Sequence, residues 1–293
     1  MFVYIIILID MSKKKGKTPK LNKNFFEIEN MDVLAKEDKI NDKNNQIHEL
    51  LPKHPARILM VGGSGQGKSN LALNMLYKPM IVFDRLYIFS SMLQQPKYKF
   101  LKRHYDTLDK MVERECDIKR KTIMRWQDTL EGIENLLNEL DSDYKNLIMI
   151  DDFSCSPSKT EQQAIDILYT KCRHKNCSIM ILTQLYFRPP ASRPVRNNIT
   201  HAILMQNYNN QELQLLQKEL GSDLPRGEFR KLYNYILSKK YNFMVIDNDT
   251  MDRRKRYRNG WTGIYDGPLS NYNADYFKPA NWKDDSDEEE VTE

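Results

Sequence analysis

The chain has 293 residues, enough for one large α/β domain with appendages. Hydrophobic residues make up 40% and charged residues 29%, the balance of a soluble globular chain, and four unevenly placed cysteines argue against a disulfide framework and for a reducing compartment. The net charge of +5 is unevenly spread, because Asp284 to Glu293 holds seven acidic residues and no basic one. Without them 33 acidic residues face 45 basic ones, a net +12, which suits a polyanion-binding body with a solvating tail.

Phe2 to Ile9 are all apolar, but eight residues fall short of the roughly 20 that span a bilayer. The basic lead and small-residue cleavage site of a signal peptide are missing as well. Met11 is the expected start, with residues 1–10 an extension before it. The Lys-rich stretch that follows reads as a disordered arm within an N-terminal extension, residues 1–49. The domain proper is expected over 50–265, and 266–293 is a tail that ends acidic.

Arg57 to Val61 reads as a buried strand. It runs into Gly62-Gly63-Ser64-Gly65-Gln66-Gly67-Lys68-Ser69, a G-x-x-x-x-G-K-S phosphate-binding loop. Asn70 to Leu76 reads as the helix after it, stopped near Pro79. In such a loop glycines let successive N–H groups curl around phosphate oxygens, and the helix N-terminus adds its partial positive charge. Lys68 is placed to reach the β- and γ-phosphates, and the Ser69 hydroxyl to ligate Mg²⁺. ATP and Mg²⁺ are therefore the expected ligand and cofactor.

A second strand is expected at Arg85–Ser90 and a helical insertion over about 97–146, with Leu130, Ile133, Leu137 and Leu140 on one face. Asn146 to Ile150 then ends in Asp151-Asp152, the pattern of a buried parallel strand whose C-terminal end meets a ligand. Asp151 is expected to hold Mg²⁺ and Asp152 to orient and deprotonate the attacking water. Adjacent strand residues point to opposite faces, so only one can ligate the metal directly unless the strand ends there.

Ser158-Lys159-Thr160-Glu161 is a capping-box pattern, and Ile165, Leu168, Tyr169 and Cys172 follow at helical spacing. Cys172, His174 and Cys177, with Cys155 nearby, do not have a usual zinc-ligand spacing. A strand over 178–183 ends at Gln184, a candidate γ-phosphate sensor. Arg173, shortly before that strand, is the first candidate for an arginine acting on a neighbouring subunit's nucleotide, a device worth about 10³–10⁵ in rate in GTPases. Arg188, Arg193 and Arg196 compete with it. A strand at 201–205, helices carrying Leu213/Leu216/Leu220 and Phe229/Leu232/Tyr233/Ile236/Leu237, and a last strand at 241–246 complete the pattern. Alternating strands and helices predict an α/β fold with a mostly parallel central sheet flanked by helices on both faces. Arg253, Arg254, Lys255, Arg256 and Arg258 form the densest basic run and are candidate DNA contacts.

Taken in order, the Val61–Asn70 loop, the Ile148–Phe153 strand, Cys172-Arg173-His174 followed by Ser178–Gln184, and Phe243–Asp247 resemble the genome-packaging ATPases of large DNA viruses, virophages and Polinton-like elements. These are the poxvirus-type members of the FtsK/HerA superfamily, and the resemblance covers about residues 50–265. It implies a RecA-like P-loop NTPase core of the ASCE type that assembles as a homo-oligomeric ring on a portal or capsid vertex. Such a ring drives double-stranded DNA into a preformed capsid, in the host cytoplasm, a viral factory or the nucleus. By the same resemblance Gly62, Gly67, Lys68 and Ser69 bind nucleotide, Asp151 is the Walker B metal residue, Asp152 the catalytic acid, Gln184 the sensor and Arg173 the trans-acting finger. Many related motors carry Glu where this chain has Asp152. The other readings of the loop are a cellular or plasmid-borne DNA pump, a nucleotide-dependent switch and a small-molecule kinase. No N/T-K-x-D element of a GTPase and no LSGGQ-like transporter signature is present in the sequence.

Overall fold

The computed structural model describes residues 48–78, 80–153, 157–207, 209–225, 227–265 and 277–279. The Lys-rich arm, the start at Met11, Pro79, Cys155 and the acidic tail lie outside the described residues.

Buried apolar runs make the strands. β1 (Arg57–Val61), β2 (Arg85–Ser90), β4 (Asn146–Asp151), β5 (Cys177–Thr183), β6 (His201–Met205) and β7 (Phe243–Asp247) are buried at almost every position. Such strands cannot be amphipathic, because helices cover both faces of the sheet. On one face Leu59, Ile148, Ile181, Leu204 and Ile246 pack with α4 (Lys159–Lys171), α6 (Asn210–Leu220) and α7 (Glu228–Ile236). On the other, Met60, Ile88, Met149, Leu182 and Val245 pack with α1 (Lys68–Tyr77) and α2 (Pro96–Cys116). The alternation along each strand assigns its side chains to the two cores in turn. Each fully buried Leu or Ile contributes about 1.5–3 kcal/mol.

The described strands form one ten-stranded sheet in the order β10-β9-β8-β7-β6-β1-β5-β4-β2-β3. The six strands from β6 to β3 are parallel, and five of them, all but β3, were expected as strands of a mostly parallel sheet. From β7 onward the sheet turns antiparallel through β8 (Tyr257–Asn259), β9 (Gly263–Tyr265) and β10 (Phe277–Pro279).

The segment expected as a helical insertion is mixed. α2 accounts for its first part, but β3 (Ile123–Gln127) then adds a parallel edge strand beside β2, and only α3 (Leu136–Glu139) is helical after it. Leu130, Ile133, Leu136 and Leu140 are buried, with Leu137 partly so, but turns rather than a continuous helix present them. β3 was illegible because Ile123-Met124-Arg125-Trp126-Gln127 is only half-buried and shows no alternation.

The capping box forms as read: Ser158 Oγ accepts from the Glu161 amide and Glu161 Oε2 from the Ser158 amide. Gly221 ends α6 with φ −113, so left-handed geometry is not its role. Its value is space: a Cβ there would stand 2.3 Å from the Phe229 ring, so α6 and α7 meet closely only because the position has no side chain.

Candidate active site

The loop between β1 and α1 is seated by its neighbours. The Gly62 amide donates to Thr183 O at 3.3 Å and the Gly63 amide to Gln206 O at 3.0 Å, tying the loop to the ends of β5 and β6. A Cβ on Gly62 would stand 2.6 Å from Met205 Cβ, so only glycine lets the loop lie against β6. Gly65 and Gly67 have positive φ, which turns the chain into α1. No side chain caps α1 and no acidic residue lies in its first turn. The amides at its start have no intrahelical carbonyl to bond, and they carry the positive end of the helix dipole. This arrangement suits an anion.

Lys68 Nζ donates to Gly62 O at 2.8 Å and Gly63 O at 3.0 Å, which holds the ammonium over the loop. Burial pulls its pKa down, opposed by the charges of Asp151 and Asp152. Asp151 ends β4 two strands from β1 and is 1% exposed. It bonds the Ser69 side chain and accepts from the Tyr98 hydroxyl. Burial pushes its carboxyl up, and those two hydrogen bonds and Lys68 pull it part of the way back. A hydroxyl beside a buried carboxylate at the start of α1 is a donor set suited to a small hard cation such as Mg²⁺.

Asp152 lies just past the end of β4 with φ +56. The strand alternation therefore stops between the two carboxylates, and both line one cavity of about 670 Å³ with the P-loop. Gln184, exposed at the tip of β5, lines it too, as do Lys97, Arg188 and Tyr241.

Arg173 is exposed on the 3₁₀ turn Cys172–Lys175, before β5, whereas Gln184 follows that strand. Seven strand residues separate the two by about 20 Å, so Arg173 does not meet the cavity of its own chain. Its turn is anchored: Asn176 donates to Ser142 O at 3.2 Å and Tyr144 O at 3.1 Å and meets His54 Nε2 at 2.9 Å. Of its competitors, Arg188 stands in the cavity wall. Arg196 is committed to Glu219 at 2.9 Å, and Arg193 is exposed on α5 (Arg193–Asn197).

The basic run divides. Arg253 and Arg254 are exposed, Arg254 pairing with Asp252, while Lys255 pairs with Glu49 and Arg256 with Asp223. Arg258 must be withdrawn from the candidate DNA contacts. It lies in β8 opposite Val245 with 0% exposure, its Nη1 3.3 Å from Asp247 Oδ2, and Asp247 Oδ1 is 3.4 Å from His201 Nε2. Pairing β8 onto β7 buried a cation that reads as surface in the sequence. Cys172 and Cys177 are buried among apolar side chains, which pushes both thiols up, Cys172 to about 11.

Sequence reasoning missed Tyr98, Lys97 and Tyr241. Tyr98 and Lys97 lie at the start of α2 and Tyr241 before β7, and no local pattern links them to a loop tens of residues away. A polar-edged aromatic at a helix start was the one available hint for Tyr98.

The strand order, the loop and the carboxylates at the end of β4 define a P-loop NTPase. The family model described as Poxvirus A32 protein matches residues 43–256, and the chain belongs to that family. No curated protein matches it. Among solved structures it is similar to the genome packaging NTPase B204 from Sulfolobus turreted icosahedral virus 2 in complex with ATP-gammaS. That likeness has 15% identity and TM-score 0.43, and covers 70% of this chain and 96% of that one. B204 of Sulfolobus Turreted Icosahedral Virus matches at 18% identity and TM-score 0.44, covering 66% and 92%. VirB4 of Thermoanaerobacter pseudethanolicus matches at 12% and 0.44, covering 66% and 87%.

Proposed function

We propose that this chain is an ATP-hydrolysing motor that drives double-stranded viral DNA into a preformed capsid. The observation that carries the reading is the Lys68–Ser69–Asp151 constellation under an uncapped helix start, in a chain of the poxvirus A32 family. The P-loop amides and Lys68 bind the phosphates. Ser69 and Asp151 would hold Mg²⁺, which when bound neutralises phosphate charge. Asp152 accepts a proton from the attacking water, and Gln184 orients that water at the γ-phosphate.

In this reading Arg173 serves a neighbouring subunit of a ring, because it is exposed, anchored and remote from its own cavity. Arg253, Arg254, Lys255 and Arg256 are the DNA contacts. The ring works at a capsid portal, in the host cytoplasm or a viral factory.

ATP turnover measured with and without long double-stranded DNA tests the reading. Stimulation by DNA is expected; transfer of phosphate to a small acceptor with indifference to DNA would overturn it. For the ring, Arg173→Ala should bind ATP but not hydrolyse it, and mixing it with Asp152→Ala subunits should restore activity. Normal turnover by Arg173→Ala alone would remove that assignment.

Tyr98 supports the metal side of the site. Tyr98→Phe keeps the ring packed and removes one hydrogen bond to Asp151. The magnesium concentration for half-maximal turnover should rise by about 10–100-fold, as for other residues that orient a metal ligand. An unchanged magnesium midpoint would show that Asp151 does not depend on this contact.

A further inference from the structure

Tyr241 has a backbone conformation that the packing of the fold does not explain, and its ring meets only the Lys240 ammonium, 4.9 Å from its centroid, and the P-loop among the contacts described. It lies in the turn between α7 and β7 with φ +69, a region aromatic residues rarely occupy. The turn fixes it there, with Asn242 N donating to Lys239 O at 3.2 Å and Asn242 Nδ2 to Ile236 O at 2.9 Å. Its ring is not in the core: the residue is 60% exposed, forms part of the wall of the P-loop cavity, and packs against the bare backbone of Gly67. A Cβ on Gly67 would stand 3.3 Å from Tyr241 Cδ1. A strained residue kept at the rim of a binding cavity is a sign of function rather than of packing.

Topology fixes which end of a ligand the ring meets. β7 runs antiparallel to β6, so the residues before β7 emerge at the same end of the sheet as the P-loop. In the order β7-β6-β1-β5-β4, the loop lies between Tyr241 on one side and Asp151 on the other. A nucleotide whose terminal phosphate lies against Lys68 and the carboxylates extends its other end toward Tyr241. Phe243 and Met205 line the same side of the cavity.

We propose that Tyr241 is the platform on which the base of the bound nucleotide stacks. The inference rests on the nucleotide reading of the site and adds the residue that grips the base. A stacking ring reads the π-face and not the hydrogen-bonding edge, so it holds adenine and guanine alike. On this side of the site, purine preference would have to come from other groups.

Equilibrium binding of ATP and of inorganic tripolyphosphate to the full chain and to Tyr241→Asn and Tyr241→Trp tests it. Asparagine tolerates the left-handed backbone, so the Asn variant should melt at or above the temperature of the parent. It should bind ATP about 5- to 100-fold more weakly, while its affinity for tripolyphosphate, which has no base, stays unchanged. Tyr241→Trp should retain ATP affinity. Equal weakening toward both ligands, or unchanged ATP affinity in the Asn variant, would overturn the proposal. If the parent chain bound neither ligand, the nucleotide reading itself would fail.

Discussion

Lys68→Ala is expected to lower ATP turnover by at least about 10²–10³-fold, the loss typical of removing one preorganised charge-stabilising donor. The Lys68 ammonium is held over the loop by two glycine carbonyls, at 2.8 and 3.0 Å, and the carboxylates of Asp151 and Asp152 lie close enough to favour its charge. In the proposed reading it is the group on this loop that follows charge as it moves onto the leaving phosphate. The fold should hardly notice the change. Burial already works against the charged amine, so its removal relieves a cost, and the two carbonyls face an open cavity. A melting temperature within a few degrees of the parent, with turnover gone, is the expected pair of results. A variant that melted normally and still turned over ATP would remove this loop from the chemistry.

Arg258→Ala is expected to do the opposite, destabilising the fold by about 3–5 kcal/mol, the usual cost of leaving one partner of a buried ion pair alone. The guanidinium is fully buried in β8 and meets Asp247, which has His201 on its other oxygen. Burial alone would push the Asp247 carboxyl up. The hydrogen bond and charge of His201 and the charge of Arg258 outweigh it and hold the carboxyl below its usual value. A depressed folded-state pKa means that this stability is present above about pH 4 and is lost as pH falls through the folded value. Without Arg258 the penalty should therefore be largest at neutral pH and shrink in acid, where Asp247 takes up a proton. Arg253→Ala and Arg254→Ala, both at exposed positions, should stay within about 0.5 kcal/mol of the parent. Chemical denaturation of the three variants at pH 7 and well below pH 4 checks this; equal midpoints for Arg258→Ala and the parent at pH 7 would return that residue to the surface.

Arg258 also shows where reading a sequence stops. A run of five cations in six residues looks the same whether it wraps DNA or feeds a strand, and only the pairing of β8 onto β7 decides which side chain turns inward. The parallel half of the sheet was legible because its strands are uninterrupted apolar runs such as Leu147–Ile150, with a P-loop after β1 and a capping box after β4. Beyond β7 the antiparallel strands were not, since Tyr257–Asn259 and Gly263–Tyr265 are three residues each, too short to carry a periodic pattern. Within the site, Lys68, Ser69 and Asp151 came from local motifs. Tyr98 reaches Asp151 across 53 positions of chain, and no local pattern carries a contact of that range.

The close meeting of α6 and α7 at Gly221 reaches further than helix packing. Glu212, at the start of α6, accepts the Tyr186 amide at 2.6 Å, and Tyr233 on α7 receives the Asn207 amide at 3.1 Å. Asn207 in turn donates to the Gln184 carbonyl at 3.2 Å. The helix pair is thus a strut whose two ends brace the segments on which Gln184 stands. A glycine at the other end of α6 sets the strut's width, so where Gln184 stands in the cavity wall is decided in part by an atom that position lacks.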